Sequence, residues 1–567
     1  MMPAHPQVPL RPPETVMRLS RMGAFHQTRL SFMRVLLRRM AAEGWRVART
    51  TWEVDGRGVG VAVYTAHGPG RSYSLVCFAH DLPPDRRSDR VIATAWDATF
   101  TLHDGIPDAA TIKRLADNVP RQEAGRVSEE ELVLARANRS VRLFEHVVAS
   151  LAGGQQPDVA QVTSVGYLMR TTAVYGSGKF GAADREVLGN HGALDGPFRA
   201  EMLAVYLIRL FSLDMVEHLA RSRAPATATA LAPDLRRRFG IGNATGLGMA
   251  PFLINHPTLL NNWMMARETA LARVRALSAA GPVARDRFHS LLGRATINAA
   301  TWQSAHPLQS VRVAVLREDL AQLAAHLDDT GLEGVQPWDG LYRWAEENLS
   351  VEGQEQLVSL LLEPYPELVD ELAGCMSADE ARALRIDGAM TVDELRAHLE
   401  SIYDWALEID FEAPAAREHV WYVSEEKLEP RLGPRFGEED LESYEQPLAP
   451  GRDAAYLHRD LVMAWPQDSV AAFLLEHPRH RHTVRRLQIA IRHPYAEIRD
   501  NTIGADLLPI DLLRCKLSFF GATHFDPRSD RWVQIVMYQG APFPDELDTA
   551  SAEDWSYPPE TAPCLTP

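Results

Sequence analysis

The hydrophobic period of this chain changes near residue 105, and that change constrains the fold more than any motif does. Residues 45–104 alternate and are rich in Val, Thr, Tyr and Phe, with Asp55-Gly56, Gly68-Pro69-Gly70 and Pro83-Pro84 as punctuation. Alternation cut by such turn signals predicts four strands joined by hairpins, an antiparallel meander. From about 108 to 410 the apolar residues recur at helical spacing, most clearly over 199–222, 258–279, 310–328 and 391–409. Ser128 with Glu131 has the form of a capping box and predicts a helix start. Thr258 is the expected N-cap of the following helix, and Ser377 and Thr391 carry acids in the next turn. Residues 411–452 read as a Pro- and Glu-rich connecting arm, with HVWYVS inside it as a strand. The stretch RCKLSFFGATHFDPRSDRWVQIVMYQG reads as a hairpin turning at Asp526-Pro527.

The expected class is therefore α+β, predominantly α-helical, with an N-terminal antiparallel β-meander and a small C-terminal β-hairpin element. The expected organisation is a helix plus meander over 1–105 and a central helical domain over 106–410. A linker, helices and hairpin follow over 411–540, then a Pro-rich acidic tail over 541–567. No strand–helix–strand alternation is visible, so a doubly wound nucleotide-binding sheet is not expected.

Charge and cysteine usage narrow the class. The formal charge of −16 argues against general nucleic-acid binding, which needs a basic face. Cys77, Cys375, Cys515 and Cys564 form no C-x-x-C pair and suggest a reducing compartment. The N-terminus lacks a basic region followed by an apolar core, and no run of about 18 uncharged apolar residues occurs. The expectation is a cytoplasmic protein without a membrane partner. Residues 1–50 hold nine arginines against Glu14 and Glu43; Phe25, Met33, Leu36, Leu37 and Met40 give that region the apolar side of a core-packing helix.

Known motifs fail on specific residues. YGSGKFG at 175–181 has Ala173 where a P-loop needs its first glycine, and Phe180 where it needs the magnesium-binding hydroxyl. Gly242, Gly246 and Gly248 miss the dinucleotide spacing. His480 and His482 have the spacing of a chelating pair, but Arg479 and Arg481 alternate with them and oppose a dication. No paired Glu-x-x-His and no G-x-S-x-G is present. No metal ligand set is expected, and no cofactor is indicated.

What remains is a concentration of polar residues among glycines and apolar helices between 164 and 268. Buried polar groups are costly unless paired or functional, and glycines permit close backbone approach. Glu201, His256 and Lys179 are the candidate proton-transfer groups. Arg170, Thr171, Tyr175, Arg209, Asn243, Thr245, Asn255, Asn262 and Arg267 are the candidate binding groups, the arginines suiting a carboxylate or phosphate. The expectation is a cytosolic enzyme using metal-free acid–base chemistry, by elimination or hydrolysis, on a small anionic metabolite in a helical pocket. Two alternatives stand beside it. One is a non-catalytic helical binding or assembly protein, with these residues organising a homo-oligomer. The other is a flavin- or nucleotide-binding oxidoreductase, since a helical pocket can host such a group without a fingerprint.

Overall fold

The computed structural model describes residues 8–83, 85, 95–121, 127–171, 191–194, 196–245, 257–304, 307–377, 384–413, 421–424, 430–432, 445–447, 450–500, 509–522, 524–527, 533–547, 555 and 557. The architecture is α+β and predominantly helical. Twelve strands are described: β1 (Arg46–Val54), β2 (Gly60–Gly68), β3 (Arg71–Ala79), β4 (Ala98–Asp104), β5 (Glu131–Arg139), β6 (Tyr167–Thr171) and β7 (Gly240–Thr245), then five more. These are the short β8 (Trp421–Ser424), β9 (Pro430–Leu432) and β10 (Glu445–Pro447), and finally β11 (His524–Pro527) and β12 (Val533–Met537).

Nine strands form one sheet in the order β1-β2-β3-β4-β5-β6-β7-β12-β11. The first four are the expected meander, and its turns have the expected chemistry. Asp55 Oδ1 accepts from the amides of Arg57 and Val59, each at 2.9 Å. Gly70 closes the two-residue link between β2 and β3 at φ +72°, as the third position of a type II turn requires. The C-terminal hairpin is not a separate element: β12 pairs antiparallel with β7 and extends this sheet. RCKLSFF lies in a helix, Pro509–Phe520, so the hairpin starts later than expected, at His524.

Two further expectations are corrected. Ser128 and Glu131 cap no helix; residues 131–139 are β5, buried at every position between β4 and β6. The Leu and Ala of this segment favour a helix intrinsically, but a central strand position overrides that preference. Glu131 accepts from Arg114 at 3.1 Å and from the Val127 amide at 3.4 Å. There is also one strand–helix–strand unit: β6 and β7 are parallel, with the helix Arg199–Arg223 between them in sequence.

The chain forms two compact units, each assembled from three separate stretches. One comprises 26–245, 281–331 and 516–567 and holds the sheet. One face of that sheet packs on the helix Ala109–Asn118, through Val63, Val76, Phe78 and Leu134 against Leu115 and Val119. The 199–223 helix crosses the other face, with Phe211 against Phe100 and Trp52, and Tyr206 against Tyr538. Residues 200–213 of this helix are all buried. A helix apolar on every side belongs in a core, which is why its few charges stand out.

The other unit comprises 1–25, 246–280 and 332–515. Helices Val392–Ile402, Pro450–Met463 and Arg481–Arg492 share a core of Leu395, Leu399, Tyr403, Leu457, Leu461 and Leu487. Thr391 makes the expected capping box with Glu394. β8 lies between β10 and β9 and contains the expected WYVS strand. Among the described residues no helix is long and apolar enough to cross a membrane.

Candidate functional site

The sheet-bearing unit contains a groove with a cavity volume of about 1270 Å³. Its walls come from five stretches: 43–49, 64–69, 210–217, 230–236 and 543–546. β1 is the outer strand of the sheet, and the Phe543–Glu546 segment packs beside it. The volume exceeds the usual range for a small-ligand pocket of roughly 300–1,000 Å³.

Asp214, on the 199–223 helix, organises the polar wall. Its Oδ2 accepts from the Tyr64 hydroxyl at 2.7 Å and from Arg49 at 2.9 Å, and its Oδ1 accepts from Arg236 at 3.1 Å. One turn on, Glu217 accepts from Arg236 at 3.0 Å, from Arg221 at 3.1 Å and from the Leu231 amide at 3.2 Å. Arg236 thus bridges two carboxylates, a use that suits the fork of a guanidinium. Burial raises the Tyr64 phenol well above its ordinary value, and the Asp214 carboxylate raises it further. Tyr64 therefore stays protonated and acts as a donor.

The lining carries Glu43, Asp214, Glu217, Asp545 and Glu546 against Arg46, Arg49 and Arg236. Carboxylates outnumber guanidiniums by two. Glu43 is paired with Arg39 at 2.5 Å, and Glu546 lies 3.8 Å from Arg237. Asp545 is exposed and, among the described residues, makes no ion pair.

Of the residues singled out from sequence, Tyr175, Lys179, Asn255 and His256 lie outside the described residues. So do the last two glycines of GIGNATGLG. Its first two, Gly240 and Gly242, are strand residues of β7. A Cβ at Gly242 would sit 2.7 Å from Arg170 Cγ and 2.8 Å from the Tyr167 ring, so this glycine serves close packing.

Arg170 and Thr171 are buried on β6, and Asn243 is buried beside them on β7. Asn243 Nδ2 donates to the Thr171 carbonyl at 2.8 Å. Strand pairing places Arg170 with Asn138 and Gly242 on one face of the sheet, while Thr171 pairs with Ala137 on the face that carries the 199–223 helix. The alternation therefore separates two neighbours that the sequence had grouped. Thr245 ends β7, and Glu201 is buried in the first turn of the 199–223 helix.

Arg209 is fully buried and holds the backbone. It donates to the carbonyls of Phe239 at 2.7 Å, Ala541 at 2.9 Å and Arg237 at 3.2 Å, and lies over the Phe543 ring. Burial lowers its guanidinium to about 10, so it remains charged at neutral pH.

Asn262 and Arg267 belong to the other unit, on the helix Pro257–Arg275. Asn262 donates to the Ser377 carbonyl at 2.7 Å. Arg267 pairs with Glu268 at 3.0 Å and Glu355 at 2.6 Å, and stacks on Phe25 at 3.9 Å. Arg11 and Arg21 also converge on Glu355, each at 2.7 Å. This closed cluster ties the N-terminal segment to the helix Val351–Leu362.

The groove residues Arg49, Tyr64 and Arg236 were not singled out from sequence. The one local signal is the pair of acids at Asp214 and Glu217 on a largely apolar helix. Among the described residues no cluster of three or more His, Cys, Asp or Glu side chains is placed to hold a metal ion. No protein-family model matches the chain, no curated protein matches it, and no solved structure matches it.

Proposed function

We propose that the chain binds a small organic cation in the groove bounded by β1, the 199–223 helix and residues 543–546. The supporting observation is Asp545, an exposed carboxylate of the lining that makes no ion pair among the described residues. A ligand ammonium or guanidinium pairs with Asp545, while Asp214 and Glu217, engaged by Arg49, Arg236 and Arg221, hold the wall in place. Tyr64, kept protonated, offers a hydroxyl beside Asp214. This takes up the non-catalytic binding alternative, with a cation in place of the small anion expected of the enzyme.

The test is a thermal-shift panel with agmatine and spermidine as cations and citrate and phosphate as anions. The proposal expects a concentration-dependent rise with the cations. It expects that rise to shrink in Asp545→Asn. A response to the anions alone would reject it.

A second reading retains the acid–base enzyme acting on a small anionic metabolite. It is favoured by Asn243, whose side-chain Oδ1 is buried without a hydrogen-bond partner among the described residues. That acceptor lies next to Thr171, near the carboxyl ends of the parallel pair β6 and β7, the end of a sheet where open α/β folds bind ligands. In this reading Asn243→Ala abolishes the thermal response to citrate or phosphate. Identical responses in both proteins would reject it.

A further inference from the structure

The stretch 477–494, which fails as a chelating motif, holds five arginines, four histidines and no acid, in a chain whose formal charge is −16. The fold gives this run a defined side. Val470, Phe473, His480, Val484 and Leu487 are buried, and His477 stacks on Phe473 at 4.7 Å. One side of residues 470–487 therefore faces the core at a period of three and four. Leu475, Arg479 and His482 recur at the same period on the other side and are exposed.

An apolar group stands beside these charges. Met463 is 85% exposed, Leu475 86% and Trp465 69%. Arg479 links them. It donates to Asp460 at 2.5 Å, and Met463 follows Asp460 by about one turn of the helix Pro450–Met463. Leu475 lies four residues before Arg479 on the same exposed side, and Arg459 lies about one turn before Met463. Arg459 and Arg481 are exposed and make no ion pair among the described residues. Glu476 and Asp468 are the exposed acids of residues 459–482. Large apolar side chains that cluster at such exposure and are rimmed by charge mark an interaction surface.

We propose that this surface docks on an anionic lipid bilayer. Met463, Trp465 and Leu475 enter the headgroup layer, and Arg459, Arg479 and Arg481 lie over the lipid phosphates. Trp and Arg suit that depth, because each couples an apolar body to a polar end. The three apolar side chains stand out from the surface. A fluid headgroup layer takes them in without a matching socket, which a folded partner would have to supply. Each arginine near an anionic leaflet adds its own attraction. The acidic remainder of the chain opposes this contact only weakly, since charges more than about 8–10 Å away are screened at physiological salt. A surface contact needs no spanning helix, and none is present among the described residues. The inference departs from the expectation of a chain without a membrane partner. It is independent of the cation proposed for the groove, whose lining shares no residue with this surface.

Flotation of the full chain with lipid vesicles tests the inference. Vesicles of phosphatidylcholine and phosphatidylserine in equal parts are expected to carry wild type upward. Vesicles of phosphatidylcholine alone are expected to leave most of it behind. Met463→Ser with Leu475→Ser, and separately Arg459→Glu with Arg481→Glu, are each expected to weaken binding about tenfold or more. Val335→Ser alters a side chain that is 88% exposed elsewhere in the chain and is expected to float like wild type. All five side chains are exposed, so the fold tolerates the changes, and circular dichroism verifies this. A wild type that does not float with the mixed vesicles, or floats equally with both kinds, would overturn the inference. So would surface variants that float like wild type, or loss of flotation in Val335→Ser. Binding of poly-glutamate by a wild type that ignores both vesicles would overturn it in favour of an acidic protein partner.

Discussion

Glu355→Gln removes the carboxylate on which Arg11, Arg21 and Arg267 converge, at 2.7, 2.7 and 2.6 Å. Three hydrogen bonds to charged groups, at about 1.5–3 kcal/mol each, set an upper bound of about 5–9 kcal/mol. The wild type, however, bears the cost of burying the carboxylate, and glutamine keeps one acceptor. Breaking a buried pair from one side typically costs about 3–5 kcal/mol, and we expect a loss in that range, with Glu268 left alone among the arginines. Burial alone would raise the Glu355 pKa, yet Arg11, Arg267 and Arg21 pull it far below the ordinary 4.5. A depressed folded-state pKa gives stability that is fully present above the unfolded value and lost as pH falls below it. The difference between wild type and variant should therefore be constant around neutrality and shrink below about pH 4.5. Urea unfolding at several pH values, with hydrogen exchange of the 351–362 helix as a local readout, measures both quantities. A difference under about 1 kcal/mol at neutral pH, or one that does not shrink in acid, would refute the reasoning.

Gly242→Ala should destabilise by about 1–3 kcal/mol, because its Cβ would press on Arg170 and Tyr167; thermal unfolding checks this. Arg209→Met keeps the packing volume but leaves three carbonyls without their donor, and should cost about 2–4 kcal/mol in a urea titration. Cys77 and Cys515 are buried, and burial pushes both thiols up, that of Cys515 to about 12. Of these two and the exposed Cys375, mild alkylation followed by peptide mass spectrometry should find Cys375 modified first and the buried pair only after unfolding.

The legible parts of the fold are those fixed by local chemistry. Asp55 and Pro69-Gly70 announce their hairpins because Asp55 caps the amides of its turn and Gly70 supplies the positive φ of the other. Thr391 with Glu394 announces a helix for the same reason. β5 was misread because its Leu and Ala speak for a helix, while burial on both faces is a property of the finished sheet. β6 and β7 span five and six residues, too short for a period to register, and the glycines of β7 resemble a loop. Glycine there answers to Arg170 and Tyr167 across the strand pair, a contact that no local pattern encodes. The groove draws on five separate stretches, so no local pattern encodes it, and its residues Asp214, Glu217, Arg49, Tyr64 and Arg236 are not among those singled out from sequence. Arg209 and Arg267, expected as binding groups, are engaged by carbonyls and carboxylates of the chain itself.

Calorimetric titration of agmatine into wild type and Asp545→Asn tests the central claim, that the groove takes a cation, most directly. The account predicts saturable one-to-one binding to wild type and at least tenfold weaker binding to the variant, with the melting temperature of the free protein unchanged. Absence of binding to wild type, or equal affinity in both proteins, would contradict it.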